Sequence, residues 1–163
     1  MIRHAREGDC RNLAALSIQV WLHTYARDGI RADIAQYVLS TFTESHFEAL
    51  LHNPDYRILV YTDGEHLLGY IAVNLTSHYR DESNGYEVET LYVQEHFHGK
   101  GIGKKLLAEI RSQFGGSYWL STWVHNDPAI GFYKKQGFRD IGEVFFQLGG
   151  EQYENRVLAF SAS

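Results

Sequence analysis

Apolar positions repeat along this chain with two periods, and the period changes mark its elements. Ile2 to Ala5 reads as a short strand. From Asp9, a candidate N-cap, a helical pattern runs to about Tyr25, with Leu13, Leu16, Ile18 and Val20 on its apolar side. Two further helical patterns cover Ile30 to Phe42 and Ser45 to His52. Arg57 to Thr62 and Leu67 to Thr76 are rich in β-branched and aromatic residues and flank Asp63-Gly64, which predicts a hairpin. A fourth strand is expected over Tyr86 to Val93. Beyond it, Ile102, Leu106, Ile110 and Phe114 recur every fourth residue, which lines one face of a helix that Gly115-Gly116 ends. A strand over Tyr118 to Val124, a helix over Pro128 to Gln136 and strands over Phe138 to Leu148 and Tyr153 to Ser161 complete the order. By periodicity alone this is a mixed α/β (α+β) domain. No repeat, linker or low-complexity stretch interrupts residues 1–163, which reads as one domain.

The junction between the fourth strand and the helix after it carries chemistry. It reads His98-Gly99-Lys100-Gly101-Ile102-Gly103-Lys104. Glycines let a ligand approach the backbone, and the first N–H groups of a helix point at negative charge, so strand, glycine turn and helix start make an anion site. The dinucleotide fingerprint G-x-G-x-x-G fails because Lys104 stands at its third glycine. The phosphate loop G-x-x-x-x-G-K-[ST] fails at His98 and at Lys105. Downstream, Asn126 or Asp127 suits a helix N-cap, Pro128 the first helical position and Gly137 the residue after the helix.

These segments resemble the GCN5-related N-acetyltransferases. That family carries Arg/Gln-x-x-Gly-x-Gly/Ala as its coenzyme A pyrophosphate loop, here His98 to Gly103 with histidine at the first place. It also carries Asn-x-x-Ala-x-x-Phe-Tyr-x-x-x-Gly-Phe, matched at Asn126, Ala129, Phe132, Tyr133, Gly137 and Phe138. The resemblance implies a central, mostly antiparallel mixed sheet with splayed fourth and fifth strands, flanked by helices. It implies acetyl-CoA as co-substrate, held by the backbone of Leu91, Tyr92 and Val93, by the loop His98, Gly99, Lys100, Gly101, Ile102, Gly103 and Lys104, and by Asn126, Asp127 and Pro128. Tyr133 matches the tyrosine beside the sulfur, where a protonated phenol can donate to a leaving thiolate. Packing against the cofactor is its plainer role.

Glu87 and Glu89 sit two apart on the fourth strand and so share a face. They are the candidate bases or cation contacts, with Glu89 first because it lies nearer the splay. Two solvent-facing glutamates are the plain alternative. Trp21 and Tyr25, with other scattered similarities, resemble the bacterial polyamine (spermidine/spermine) N-acetyltransferases and are candidate acceptor contacts. Gly150 and Asn155 depart from that pattern, standing where acidic residues are expected. A small cationic amine is the preferred acceptor. A protein lysine or N-terminal amine and a non-catalytic acyl-CoA-binding module are the alternatives.

Composition narrows the partners. With 163 residues, 44% hydrophobic and 21% charged, the chain can bury a sizeable core. Its net charge of −5 and lack of Lys/Arg clusters argue against nucleic acid. No apolar run approaches the ~20 residues of a membrane span, and the N-terminus lacks a signal-peptide core, so a cytoplasmic protein is expected. Cys10 is the sole cysteine, which rules out an intrachain disulfide. His96 and His98 are the one close histidine pair, without the further ligands a zinc site needs, so no metal is expected. A homodimer is left open.

Overall fold

The computed structural model describes residues 1–162. Seven strands form one sheet in the order β1-β2-β3-β4-β5-β7-β6. They are β1 (Ile2–His4), β2 (Tyr56–Asp63), β3 (His66–Asn74), β4 (Tyr86–Val93), β5 (Ser117–Trp123), β6 (Arg139–Leu148) and β7 (Glu151–Ser161). Every neighbouring pair is antiparallel except β4 and β5. Five helices flank it: α1 (Cys10–Tyr25), α2 (Ala32–Thr41), α3 (Glu44–His52), α4 (Ile102–Phe114) and α5 (Asp127–Lys135).

Each face of the sheet buries its own helices. Ile102, Leu106 and Ile110 of α4 and Tyr133 of α5 join Leu59, Ile71, Val88, Tyr118 and Leu158 on one face. Leu13 and Leu16 of α1 and Phe47 of α3 cover Ile58, Val60, Tyr70 and Ala72 on the other. A buried serine on α1, Ser17, bonds back to the Leu13 carbonyl and shares a hydrogen bond with the Tyr70 hydroxyl, so neither polar group is stranded.

The sequence reading differs from the structure at helix starts. Asp9 holds the N-cap position of α1 but does not cap it. A 3₁₀ turn over Glu7–Asp9 precedes the helix, and the Asp9 carboxylate turns back to accept from the Arg6 N–H at 2.8 Å and the Arg3 guanidinium at 2.7 Å. Gly29, at φ +102°, and the extended Arg31 keep Ile30 outside α2. Thr43 caps α3, so that helix begins at Glu44. Pro128 is the second residue of α5, after Asp127.

Two local features position the site. The first is the brevity of the β4–β5 pairing: only Tyr86↔Tyr118 and Glu87↔Trp119 are in register, after which the strands part. Immediately before the paired residues, Gly85 lies at φ +80°, and a Cβ there would fall inside the carbonyl oxygen of Ser117. The second is a bulge in β4. Val73 pairs with Val88 and Ala72 with Thr90, which leaves Glu89 as the extra residue. It shifts the alternation: Tyr86 and Val88 face α4, and after the bulge Leu91 and Val93 do, while Tyr92 packs on the α1 side.

Gly85→Ala should therefore cost more than a backbone strain of about 1–2 kcal/mol, because the β4–β5 contact must also open. Urea unfolding should show a large loss of stability. Gly8→Ala, where an added Cβ meets nothing and φ is ordinary, should stay within about 0.5 kcal/mol of the parent.

Candidate active site

From Val88 to Val93, β4 keeps β3 on one side and has no strand on the other, because its register with β5 ends at Glu87 while β5 follows β7 along its whole length. The free edge turns the backbone N–H and C=O groups of Leu91 and Val93 toward the gap, while those of Tyr92 face β3. Such groups need partners when covered, and an extended ligand with amide groups supplies them.

The glycine loop closes one end of this gap. A 3₁₀ turn over Glu95–Phe97, with the Gln94 side chain capping it, leads into His98. Gly99 and Gly101 follow at φ +80° and +79°, conformations that suit glycine. Gly101 is the N-cap of α4, and having no side chain it leaves the first N–H groups of the helix uncapped. A Cβ added at Gly99 or Gly101 would meet no protein atom, so the space over both is open. Gly103 is different: its Cβ would stand 3.2 Å from Phe132, so this glycine lets α4 approach α5. The His98 ring turns inward, with Nε2 donating to the Val93 carbonyl at 2.8 Å. That contact commits Nε2 as a proton carrier and leaves only Nδ1 for a ligand. Lys100 lies over the Phe97 ring at 5.3 Å, and Lys104 is exposed at the start of α4.

Tyr133 lies on the same side of the sheet as the loop. Its residue is buried among Ile102, Phe138 and Leu91, and its ring centroid is 5.2 Å from that of Phe138. Burial pushes its phenol well above the usual range, so it is protonated at neutral pH. Asn126 accepts from the Ala129 N–H at 3.4 Å and caps α5. The N-cap reading of that residue is the one its contacts support.

Glu87 and Glu89 lie across the sheet, on the α1 face. Glu87 alternates with Tyr86 and Val88, which face α4, and its Oε1 accepts from the Ser77 hydroxyl at 2.7 Å. Glu89 Oε2 accepts from the Tyr56 hydroxyl at 2.6 Å and from Asn74 at 3.2 Å. Burial raises the Glu87 carboxyl above the ordinary carboxylate range; the Ser77 hydrogen bond opposes this and the Glu89 charge adds to it. Glu89 itself is exposed.

Trp21 and Tyr25 fall in a separate group. With Trp123, Tyr153, Phe146 and Tyr37 they close a ring of six aromatic side chains, each centroid 4.4–6.1 Å from the next. Trp21 is buried, and Tyr25 stands between it and Trp123. Burial, with Tyr37 adding, pushes the Tyr25 phenol up to about 12, while the Asn155 amide works against both. Asn155 Oδ1 is buried without a hydrogen-bond partner. The four acceptor candidates thus split into a carboxylate pair and part of an aromatic wall.

The Tyr92 side chain packs on the α1 face, its ring centroid 5.8 Å from that of Tyr70, a placement the sequence reading did not foresee because it took only this residue's backbone. Its hydroxyl is enclosed. Burial raises its phenol well above 10, and the neighbouring phenols of Tyr70, Tyr25, Tyr37 and Tyr133 add to the shift. Trp123 was also missed, although alternation along β5 puts it on the face of Trp119.

Residues 21–138 match the acetyltransferase (GNAT) family. The chain belongs to that family. An uncharacterized N-acetyltransferase of Lactobacillus delbrueckii subsp. lactis is 27% identical over 160 residues, covering 93% of this chain and 91% of the relative. Shorter matches join it to the N-alpha-acetyltransferase RimI of Mycobacterium tuberculosis, 31% identical over 59% of this chain and 60% of the relative. The spermine/spermidine N(1)-acetyltransferase of Bacillus subtilis is 29% identical over 53% and 61%. Among solved structures, the PaiA N-acetyltransferase of Thermoplasma acidophilum in complex with coenzyme A superposes with a TM-score of 0.74 at 21% identity, over 96% of each chain. The protein is thus an acetyl-CoA-dependent N-acetyltransferase.

The residues on hand fit a GNAT cofactor. The uncapped start of α4 and the open space over Gly99 and Gly101 suit a pyrophosphate. The unpaired edge of β4 suits the amide-bearing pantetheine arm. Among the described residues, no group of three or more His, Cys, Asp or Glu is placed to hold a metal, and no helix is long and apolar enough to cross a membrane.

Gly101→Ala should separate ligand approach from folding. The strain at φ +79° costs about 1–2 kcal/mol of stability, and the methyl enters space that is open in the protein. Calorimetry should show coenzyme A affinity reduced by about tenfold or more, while the circular dichroism spectrum is unchanged. Unaltered affinity would remove the loop from the cofactor site.

Proposed function

We propose that this GNAT protein acetylates a primary amine of a small cationic acceptor, with polyamines as the first candidate class. The observation that carries this reading is the carboxylate pair Glu87 and Glu89 on the α1 face of β4, beside the strand's open edge. The match to the Bacillus subtilis spermine/spermidine acetyltransferase supports it.

Acetyl-CoA supplies an activated acetyl group as a thioester. The chain's own groups then have three tasks. The backbone at Leu91 to Val93 and the loop from His98 to Lys104 hold and orient the cofactor. Glu87 removes the proton that the acceptor ammonium must lose before its nitrogen can attack. Its raised pKa makes it a stronger base than an ordinary carboxylate, and its burial keeps it close to the protein dipoles. Glu89 has its oxygen shared by Tyr56 and Asn74, which fixes its direction and suits it to attracting the cation. This reverses the order expected from strand position alone, where Glu89 came first. Tyr133 keeps its proton at neutral pH and donates it to the departing thiolate.

An amine panel with acetyl-CoA and thiol detection tests the reaction. Spermidine and putrescine should release coenzyme A above the hydrolytic background, and a panel with no amine-dependent release would sink the reading. Tyr133→Phe keeps the ring and loses the proton, so kcat should fall by about 10²-fold with little change in the KM for acetyl-CoA. Full activity of that variant would remove the acid role.

Glu87→Gln should lower kcat and also reveal the cost of holding a base. A carboxyl raised in the folded state binds its proton more tightly folded than unfolded. Its penalty is therefore absent below the ordinary carboxylate pKa and grows as pH rises through the raised one. At pH 7 Glu87→Gln should have a higher Tm than the parent, and the gap should close as pH falls below about 4. A gap that does not change with pH would show that Glu87 is not desolvated.

A further inference from the structure

Arg27 follows α1 and reaches across the mouth of the aromatic wall. Its Nε donates to the Thr24 carbonyl at 3.1 Å and its Nη2 to the His125 carbonyl at 3.1 Å. Its guanidinium carbon stands 4.8 Å from the centroid of Trp123. These partners are two carbonyl oxygens and an indole face, with no carboxylate among them. Arg31 and Arg156, by contrast, are each matched to acidic side chains.

Each partner is suited to a cation for its own reason. Thr24 lies in the last turn of α1, where carbonyls left without helical donors carry the negative end of the helix dipole. Indole offers the strongest π face for a cation among the aromatic side chains. His125 lies in the turn between β5 and α5, immediately before the Asn126 cap. The three therefore come from the end of α1 and from β5 with the turn that follows it, and an ammonium can satisfy two N–H donors on the carbonyls while resting on the ring.

We propose that Trp123 with the carbonyls of Thr24 and His125 forms a seat for the far ammonium of a di- or polyamine acceptor, and that Arg27 fills this seat when no acceptor is bound. The seat rests on the reading of a small cationic acceptor and assigns its two ends. The reacting amine lies toward the Glu87 side and the open edge of β4, and the tail lies on the indole. Arg27 is then an internal competitor that must swing out as the tail enters. A monoamine has no tail and does not displace it.

The test compares the parent with Arg27→Gln, using spermidine, putrescine and n-butylamine as acceptors at saturating acetyl-CoA. Removing the competitor should lower the KM for both polyamines roughly five- to tenfold, the scale of a partly desolvated cation–π contact. The KM values for n-butylamine and acetyl-CoA should stay within about twofold. Arg27→Lys retains a cation and should stay near the parent. Trp123→Leu should raise the KM for spermidine more than that for n-butylamine.

A strap that merely ties α1 to the β5–α5 turn gives another pattern: Arg27→Gln would lower Tm and change kcat for all three amines alike, with no dependence on the second charge. That result overturns the seat. Calorimetric titration of spermidine into the coenzyme A-saturated protein gives a reading that does not need turnover. Tighter binding to Arg27→Gln than to the parent supports the seat, whereas equal or absent binding overturns it. Lack of acetyl transfer to every amine would instead count against the proposed reaction, so the two failures are distinguishable.

Discussion

The parting of β4 from β5 is the constraint on which the rest of the site depends. Parallel strands held together along their length would satisfy each other's backbone and leave nothing for a ligand. Here two residue pairs hold the strands at one end, and Gly85 makes that hold close by bringing its Cα against Ser117. Beyond Glu87 the strands diverge, because β5 continues in register with β7 through Trp123 while β4 stays with β3 through Val93. Each strand is thus fully committed on its outer side, and the unpaired edges face one another across the gap. A rigid, closely packed sheet produces an opening at a fixed place without a flexible loop.

Around that gap, ionisable groups are buried in the form that costs least. Tyr133 and Tyr92 are neutral phenols at neutral pH, so enclosing them requires no charge to leave water. Glu87 is the exception. It is half-buried as a carboxylate with one hydroxyl partner and a second carboxylate near it, and its raised pKa records the strain. A carboxyl whose pKa is raised holds a proton more tightly than an ordinary one, which suits it to the base role proposed for it. The stability forgone there and the reactivity gained have the same physical cause.

The sequence made some of this legible and hid the rest. The loop from His98 to Lys104 could be read because its glycines answer a local demand, positive φ at Gly99 and Gly101, that few other residues meet. The helix start at Ile102 and the apolar repeat of α4 were legible for the same local reason. The bulge at Glu89 was not. It is set by register against β3, a non-local pairing, and it leaves no mark in composition. Once it is present, every later residue of β4 changes face, which is why Tyr92 could be placed by backbone but not by side chain. Asp9 failed as a helix cap for a similar reason, since its carboxylate was claimed by Arg3, a residue of β1. Gly103 belongs to the loop motif, yet its bareness serves Phe132 on α5 as well, a contact that only the packed structure reveals.

In the proposed reading, the acceptor face divides its labour between charge and ring. Glu87 sits at the paired end of β4 and Glu89 at its bulge, where Ser77, Tyr56 and Asn74 fix their direction. The aromatic wall stands where α1, α2 and the β6–β7 hairpin meet, and the carboxylate that touches it, Glu151, accepts from the Tyr153 hydroxyl and is paired with Arg31. An acceptor with its charges at two separated points meets attraction of two kinds. Carboxylates bind an ammonium through a charge that salt screens at an exposed site, whereas a ring face binds it through a short-range field that the surrounding rings help keep dry. In that reading, using the second kind for the tail leaves Glu87 free for the reacting amine. Two acidic sites of equal strength would hold the acceptor in either direction; an acidic end and an aromatic end give it one preferred sense.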